Sequence, residues 1–99
     1  ALGANTTGSV NIAVGTDSLI LNSSGSDNIA IGVTALSANL TGSFNTALGN
    51  NAGALATGSN GLYLGYQAGN LVTTGNSNII IGAGADVNAG ARSNCIIIG

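Results

Sequence analysis

Six segments that end in glycine recur along the chain: Gly8-Ser-Val-Asn-Ile-Ala-Val-Gly15, Gly25-Ser-Asp-Asn-Ile-Ala-Ile-Gly32, Gly42-Ser-Phe-Asn-Thr-Ala-Leu-Gly49, Gly58-Ser-Asn-Gly-Leu-Tyr-Leu-Gly65, Gly75-Asn-Ser-Asn-Ile-Ile-Ile-Gly82 and Arg92-Ser-Asn-Cys-Ile-Ile-Ile-Gly99. Their terminal glycines lie 17, 17, 16, 17 and 17 residues apart, and eleven of the 17 glycines fall on the two ladder positions. A repeat this short has no room for two packed helices and their turns. Two glycines per period, β-branched residues and short apolar runs predict strands joined by tight turns instead. Each repeat then reads as one coil of a parallel β-roll. The chain divides into a single repeat domain, residues 1–99, with coils at about 1–15, 16–32, 33–49, 50–65, 66–82 and 83–99.

The halves between these segments repeat more loosely. Ala1-Leu-Gly-Ala-Asn-Thr-Thr-Gly8 aligns without gaps on Ala35-Leu-Ser-Ala-Asn-Leu-Thr-Gly42. The recurring Leu2, Leu19, Leu36 and Leu55 are expected to close the coil from the side opposite the strand. Within each strand, side chains alternate between the two faces. The positions of Ile12 and Val14 are apolar in almost every coil, Thr46 being the exception, and are expected to fill the inside. The intervening column, Ala13, Ala30, Ala47, Tyr63, Ile80 and Ile97, then points outward. A strand apolar on both faces is buried on both. A symmetric copy of the chain is the simplest cover for the second face, and a coil this thin buries little surface alone. The Ala13 column is therefore the predicted trimer interface, with the chains closest at the alanines and farther apart from Tyr63 onward.

Composition narrows the function. The net charge is −2 and Arg92 is the single basic residue, so nothing neutralises a phosphate backbone and nucleic acid is excluded as a partner. No apolar run approaches the roughly 20 residues that span a bilayer as a helix, so no membrane insertion is expected. The chain starts without Met and stops on a repeat boundary, which reads as a fragment of a longer protein. Cys95 stands alone, so no intrachain disulfide is expected; a buried small side chain is the reading of that residue.

Without His, Lys or Glu, and with no Ser beside a base, the sequence offers no familiar catalytic constellation, and no enzyme is expected. Asp17, Asp27 and Asp86 occupy different places in the repeat, which argues against a calcium roll; no metal or cofactor is expected. The recurring Asn11, Asn28, Asn45 and Asn78 read as structural: Asn favours turns, bonds local backbone, and can bond along a stack at about 4.8 Å per coil. Gly15, Gly32, Gly49, Gly65, Gly82 and Gly99 read as backbone devices of the same ladder.

Thr41-Gly-Ser-Phe-Asn-Thr-Ala-Leu-Gly49, followed by Leu64-Gly-Tyr-Gln-Ala-Gly69, resembles the repeats of YadA-type trimeric adhesin heads and, more closely, those of bacterial and viral tail-fibre proteins. The likeness runs over essentially the whole chain. It implies a left-handed parallel β-roll, a homotrimeric fibre segment, and an extracellular place on a bacterial cell surface or a virion tail fibre. The family's Asn usually stands one residue farther from Ala; Asn60 and Asn94 keep that spacing, whereas Asn11, Asn28, Asn45 and Asn78 do not. The function implied is a shaft or head serving attachment. The alternative is a module that binds a host glycan or protein through exposed loops such as Asn22–Ser24, Leu40–Thr41 and Asn70–Thr74; Tyr66, in the turn after Gly65, is a ring that could stack on a sugar.

Overall fold

The computed structural model describes residues 1–87 and 90–99. Six short strands, β1 (Ile12–Val14), β2 (Ile29–Ile31), β3 (Thr46–Leu48), β4 (Leu62–Leu64), β5 (Ile79–Ile81) and β6 (Ile96–Ile98), pair in sequence order in one parallel sheet. Each strand lies on the same three positions of the next, for example Ile12 on Ile29, Ala13 on Ala30 and Val14 on Ile31. The chain is an all-β solenoid whose register is the sequence repeat itself. It is a slim body, 34 × 21 × 16 Å.

A three-residue strand cannot turn a chain through a full coil; the corners do that. Three columns of left-handed backbone recur up the stack. One runs through Val10, Asp27, Phe44, Asn60, Ser77 and Asn94, a second through Asp17, Thr34, Asn51 and Gln67, and a third through Leu2, Leu19 and Leu36. Left-handed backbone costs an L-residue about 1–2 kcal/mol, so packing must hold each corner. At the second ladder glycine the approach of the coils sets the residue: a Cβ on Gly32, where φ is +133°, would lie 2.6 Å from the carbonyl carbon of Gly49.

The core is a thin file of side chains inside the coils. Ala30, Ala47, Tyr63 and Ile80 come from the strands, and Leu19, Leu36, Ala52, Ala68 and Val72 from the facing wall. The strand's middle residue therefore points inward. That reverses the expected assignment. Ile12, Val14, Ile29 and Ile31 point outward, and the column Ala13, Ala30, Ala47, Tyr63, Ile80, Ile97 belongs to the interior of one chain rather than to an interface between chains. Ala30 is 0 % exposed in the single chain, leaving no surface there for a neighbour. The expected splaying of chains from Tyr63 onward falls with it. The physical reason is width: the roll is too narrow for two large inward residues per strand but holds one, small where the facing wall is leucine and large where it is glycine.

Leu55 is also corrected. Leu19 and Leu36 are fully buried on the facing wall, but Leu55 is half exposed. The backbone bonds Leu36 N–H to Ala52 O and Gly53 N–H to Ala68 O put Gly53, not Leu55, in the leucine column.

Candidate functional site

The interior carries two amide ladders. In the first, the Asn28 backbone N–H donates to Asn11 Oδ1 at 3.0 Å, and the Asn45 backbone N–H to Asn28 Oδ1 at 3.0 Å. It continues with Gly61 N–H on Asn45 Oδ1 (2.8 Å) and Cys95 N–H on Asn78 Oδ1 (3.0 Å). Each Nδ2 meanwhile donates to the first ladder carbonyl of the next coil: Asn11 to Gly25, Asn28 to Gly42, Asn45 to Gly58 and Asn78 to Arg92, at 2.8–2.9 Å. Asn28, Asn45 and Asn78 are fully buried, so these side chains hold backbone groups that water cannot reach. Asn11, Asn28, Asn45 and Asn78 are structural as expected, but they bond the backbone of the next coil rather than local backbone or one another.

A second ladder escaped the sequence reading. Asn22 Nδ2 donates to Asn5 Oδ1 (2.8 Å) and Asn39 Nδ2 to Asn22 Oδ1 (2.9 Å). Each of the three also bonds the carbonyl of the glycine three residues on. The signal was present as a thrice-repeated Asn-x-x-Gly, at Asn5–Gly8, Asn22–Gly25 and Asn39–Gly42. The ladder stops where Ala56 takes the next place, and Asn39 Oδ1 is left buried without a partner. The same coil is one residue short: Ala56-Thr57-Gly58 replaces Asn-x-x-Gly, so an Asn there could not make the turn.

The outer face of the sheet is the surface with something to explain. Two ladders run its length: Ile12, Ile29, Thr46, Leu62, Ile79, Ile96, and Val14, Ile31, Leu48, Leu64, Ile81, Ile98. Eleven of these twelve residues are apolar, and even in the middle of the stack Ile29 and Leu48 are 36 % and 45 % exposed. At about 4.8 Å per strand this is a continuous apolar stripe some 24 Å long, beyond the scattered apolar residues of an ordinary surface. Val10 and Phe44, at the corner before β1 and β3, are exposed apolar residues in left-handed backbone, where Asp, Asn and Ser serve the other coils.

The remaining chemistry is sparse. Among the described residues no group of three or more His, Cys, Asp or Glu could hold a metal ion. Cys95 is a free, half-buried thiol. Burial, with a smaller contribution from the Asp86 carboxylate, pushes the Tyr63 phenol up to about 12. The open C-terminal end of the core is a cavity of about 530 Å³ bordered by Asp86, Val87, Arg92, Cys95 and Ile97. Of the loops expected to face solvent, Ser24, Leu40, Thr41, Thr73 and Thr74 do, whereas Asn22 and Val72 are buried in the roll. Tyr66 is exposed on a turn, one coil beyond the exposed Asn50. Among the described residues no helix is long and apolar enough to cross a membrane. Comparison with protein-family models, curated proteins and solved structures finds no match to the chain.

Proposed function

We propose that this chain is a structural segment, shaft or head, of a trimeric extracellular fibre or adhesin, whose copies pack side by side through the outer face of the sheet. The observation that carries the reading is the apolar stripe formed by the Ile12 and Val14 ladders. A surface that repeats at about 4.8 Å interdigitates along its whole length only with a surface of the same period, and a second copy of the chain has that period. Burying the exposed half of an Ile or Leu contributes on the order of 1 kcal/mol, summed over eleven positions per chain. The trimer contact thus moves from the Ala13 column to the two ladders beside it. With a left-handed roll, this is the arrangement that the likeness to adhesin heads and tail fibres implies. Its place is a bacterial surface or a virion tail, its role mechanical and adhesive, with no catalysis.

Light scattering coupled to size exclusion tests the reading. A trimer is expected at micromolar concentration, and a monomer with its β-sheet signal intact overturns it. Ile31→Glu with Leu48→Glu should give that folded monomer, because both side chains are outside the roll. A second reading, a glycan-binding module, is favoured only by Tyr66, an exposed ring one coil from the exposed Asn50. Tyr66→Ala would then weaken retention on immobilised glycans and leave the trimer unchanged.

A further inference from the structure

The first ladder glycine of each coil is fixed by its neighbour above. A Cβ built on Gly8, Gly25, Gly42, Gly58 or Gly75 would sit well inside 3.0 Å of the backbone carbonyl oxygen of the corresponding residue one coil on. The φ angles of these glycines are not in the left-handed region, so close approach is what forbids a side chain: the carbonyl of the next coil is nearest at all five, with an Asn side-chain atom also inside 3.0 Å. In the sixth coil this position is Arg92. It stands in register, since its carbonyl accepts Asn78 Nδ2 at 2.8 Å as Gly25, Gly42 and Gly58 accept theirs. Its side chain borders the open end of the core.

We infer that Arg92 is a stop: its Cβ occupies the space where a seventh coil would place a carbonyl, so nothing stacks on coil six in the register of the other five junctions. The block applies to a following stretch of chain and equally to the first coil of another copy. Cys95 supports it, because it takes Asn78 Oδ1 on its N–H but has no amide to pass upward. That loss alone would not suffice, since Gly61 also interrupts the ladder and coil five still pairs above it. An unpaired end is a template for open-ended growth, and a Cβ at the ladder glycine closes it while leaving side-by-side packing free. This inference is independent of the proposed function.

The test extends the chain after Gly99 with a second copy of residues 16–32, a junction that repeats Gly15–Thr16. Hydrogen exchange is then read at the appended Ile-Ala-Ile strand, with β2 as the internal reference. With Arg92 in place the appended strand should exchange like unstructured peptide. Arg92→Gly should slow it at least 100-fold. Arg92→Ala should behave like Arg92, because the obstruction is the Cβ and neither length nor charge. Protection of the appended strand in the Arg92 or Ala chain overturns the proposal. So does its absence in the Gly chain with β2 still protected. Should Arg92→Gly loosen the coils themselves, the Arg92 and Ala chains still decide, since protection in either defeats the stop.

Discussion

The first three coils and the last three fill the same narrow space in opposite ways. In the first, the strand gives Ala13, Ala30 and Ala47, and the facing wall gives Leu2, Leu19 and Leu36. In the last, the strand gives Tyr63, Ile80 and Ile97. The wall there answers with Gly53 and Gly69, where a Cβ would run into the Tyr63 ring (2.6 Å from Cδ2 at Gly53). The second amide ladder obeys the same boundary, giving way from Asn39 to Ala56 and Val72. Over the first five coils, volume is exchanged between strand and wall within a layer rather than kept constant down each column, as close packing requires. The stack is thus two solutions to one cross-section, joined where coil length falls from 17 to 16.

The largest effect should come from forcing the N-terminal solution on the C-terminal half. Gly69→Leu drives a side chain into the Tyr63 ring and puts an L-residue at φ +66°. Overpacking and left-handed strain together cost roughly 2–5 kcal/mol, measured by denaturant unfolding. Adding Tyr63→Ala should recover most of it, because Leu36 already occupies the equivalent corner at φ 52°. No recovery would break the exchange rule.

Leu36→Ala removes the large wall residue where the strand residues beside it are alanines. A loss of about 2–5 kcal/mol is expected, with a lowered thermal midpoint. Leu55→Ala, on an exposed side chain, should move the midpoint little. Equal losses would return Leu55 to the leucine column.

The C-terminal half should carry an alkaline weakness that the N-terminal half lacks. Tyr63 has its pKa raised to about 12 by burial and, secondarily, by Asp86. Below pH 10 the phenol is protonated in folded and unfolded chains alike, and this residue adds no pH dependence. Between pH 10 and 12 the unfolded chain releases the proton and the fold retains it, so the folding equilibrium falls by about tenfold per pH unit. Tyr63→Phe should flatten that segment of the stability profile.

The smallest expected effect is a repair at the boundary. Changing Ala56 to Asn and inserting one residue after Thr57 restores Asn-x-x-Gly and gives Asn39 Oδ1 a donor. A gain of about 1 kcal/mol is expected from thermal unfolding. Ala56→Asn without the insertion should bring none, since the turn that seats the amide is then too short.

The repeat dictated much of this molecule. Coil number, parallel pairing and register follow from the glycine spacing, because parallel stacking demands that equivalent backbone atoms meet at every turn. The structural role of Asn11, Asn28, Asn45 and Asn78 was legible too, since an Asn that recurs at one place in four coils of a stack forms a column; that it bonds the backbone one coil on was not. Which side of the strand faces inward was decided by the tertiary structure. With Ile12, Ala13 and Val14 all apolar, alternation names two faces without ranking them. A clue existed: Asn28 and Ala30 share a face two residues apart, so an interior ladder carries the alanine inside with it. The wall settles the matter. Leu19 and Leu36 reach across a narrow coil and leave room for a methyl group, and only three-dimensional packing makes that width a constraint on the strand.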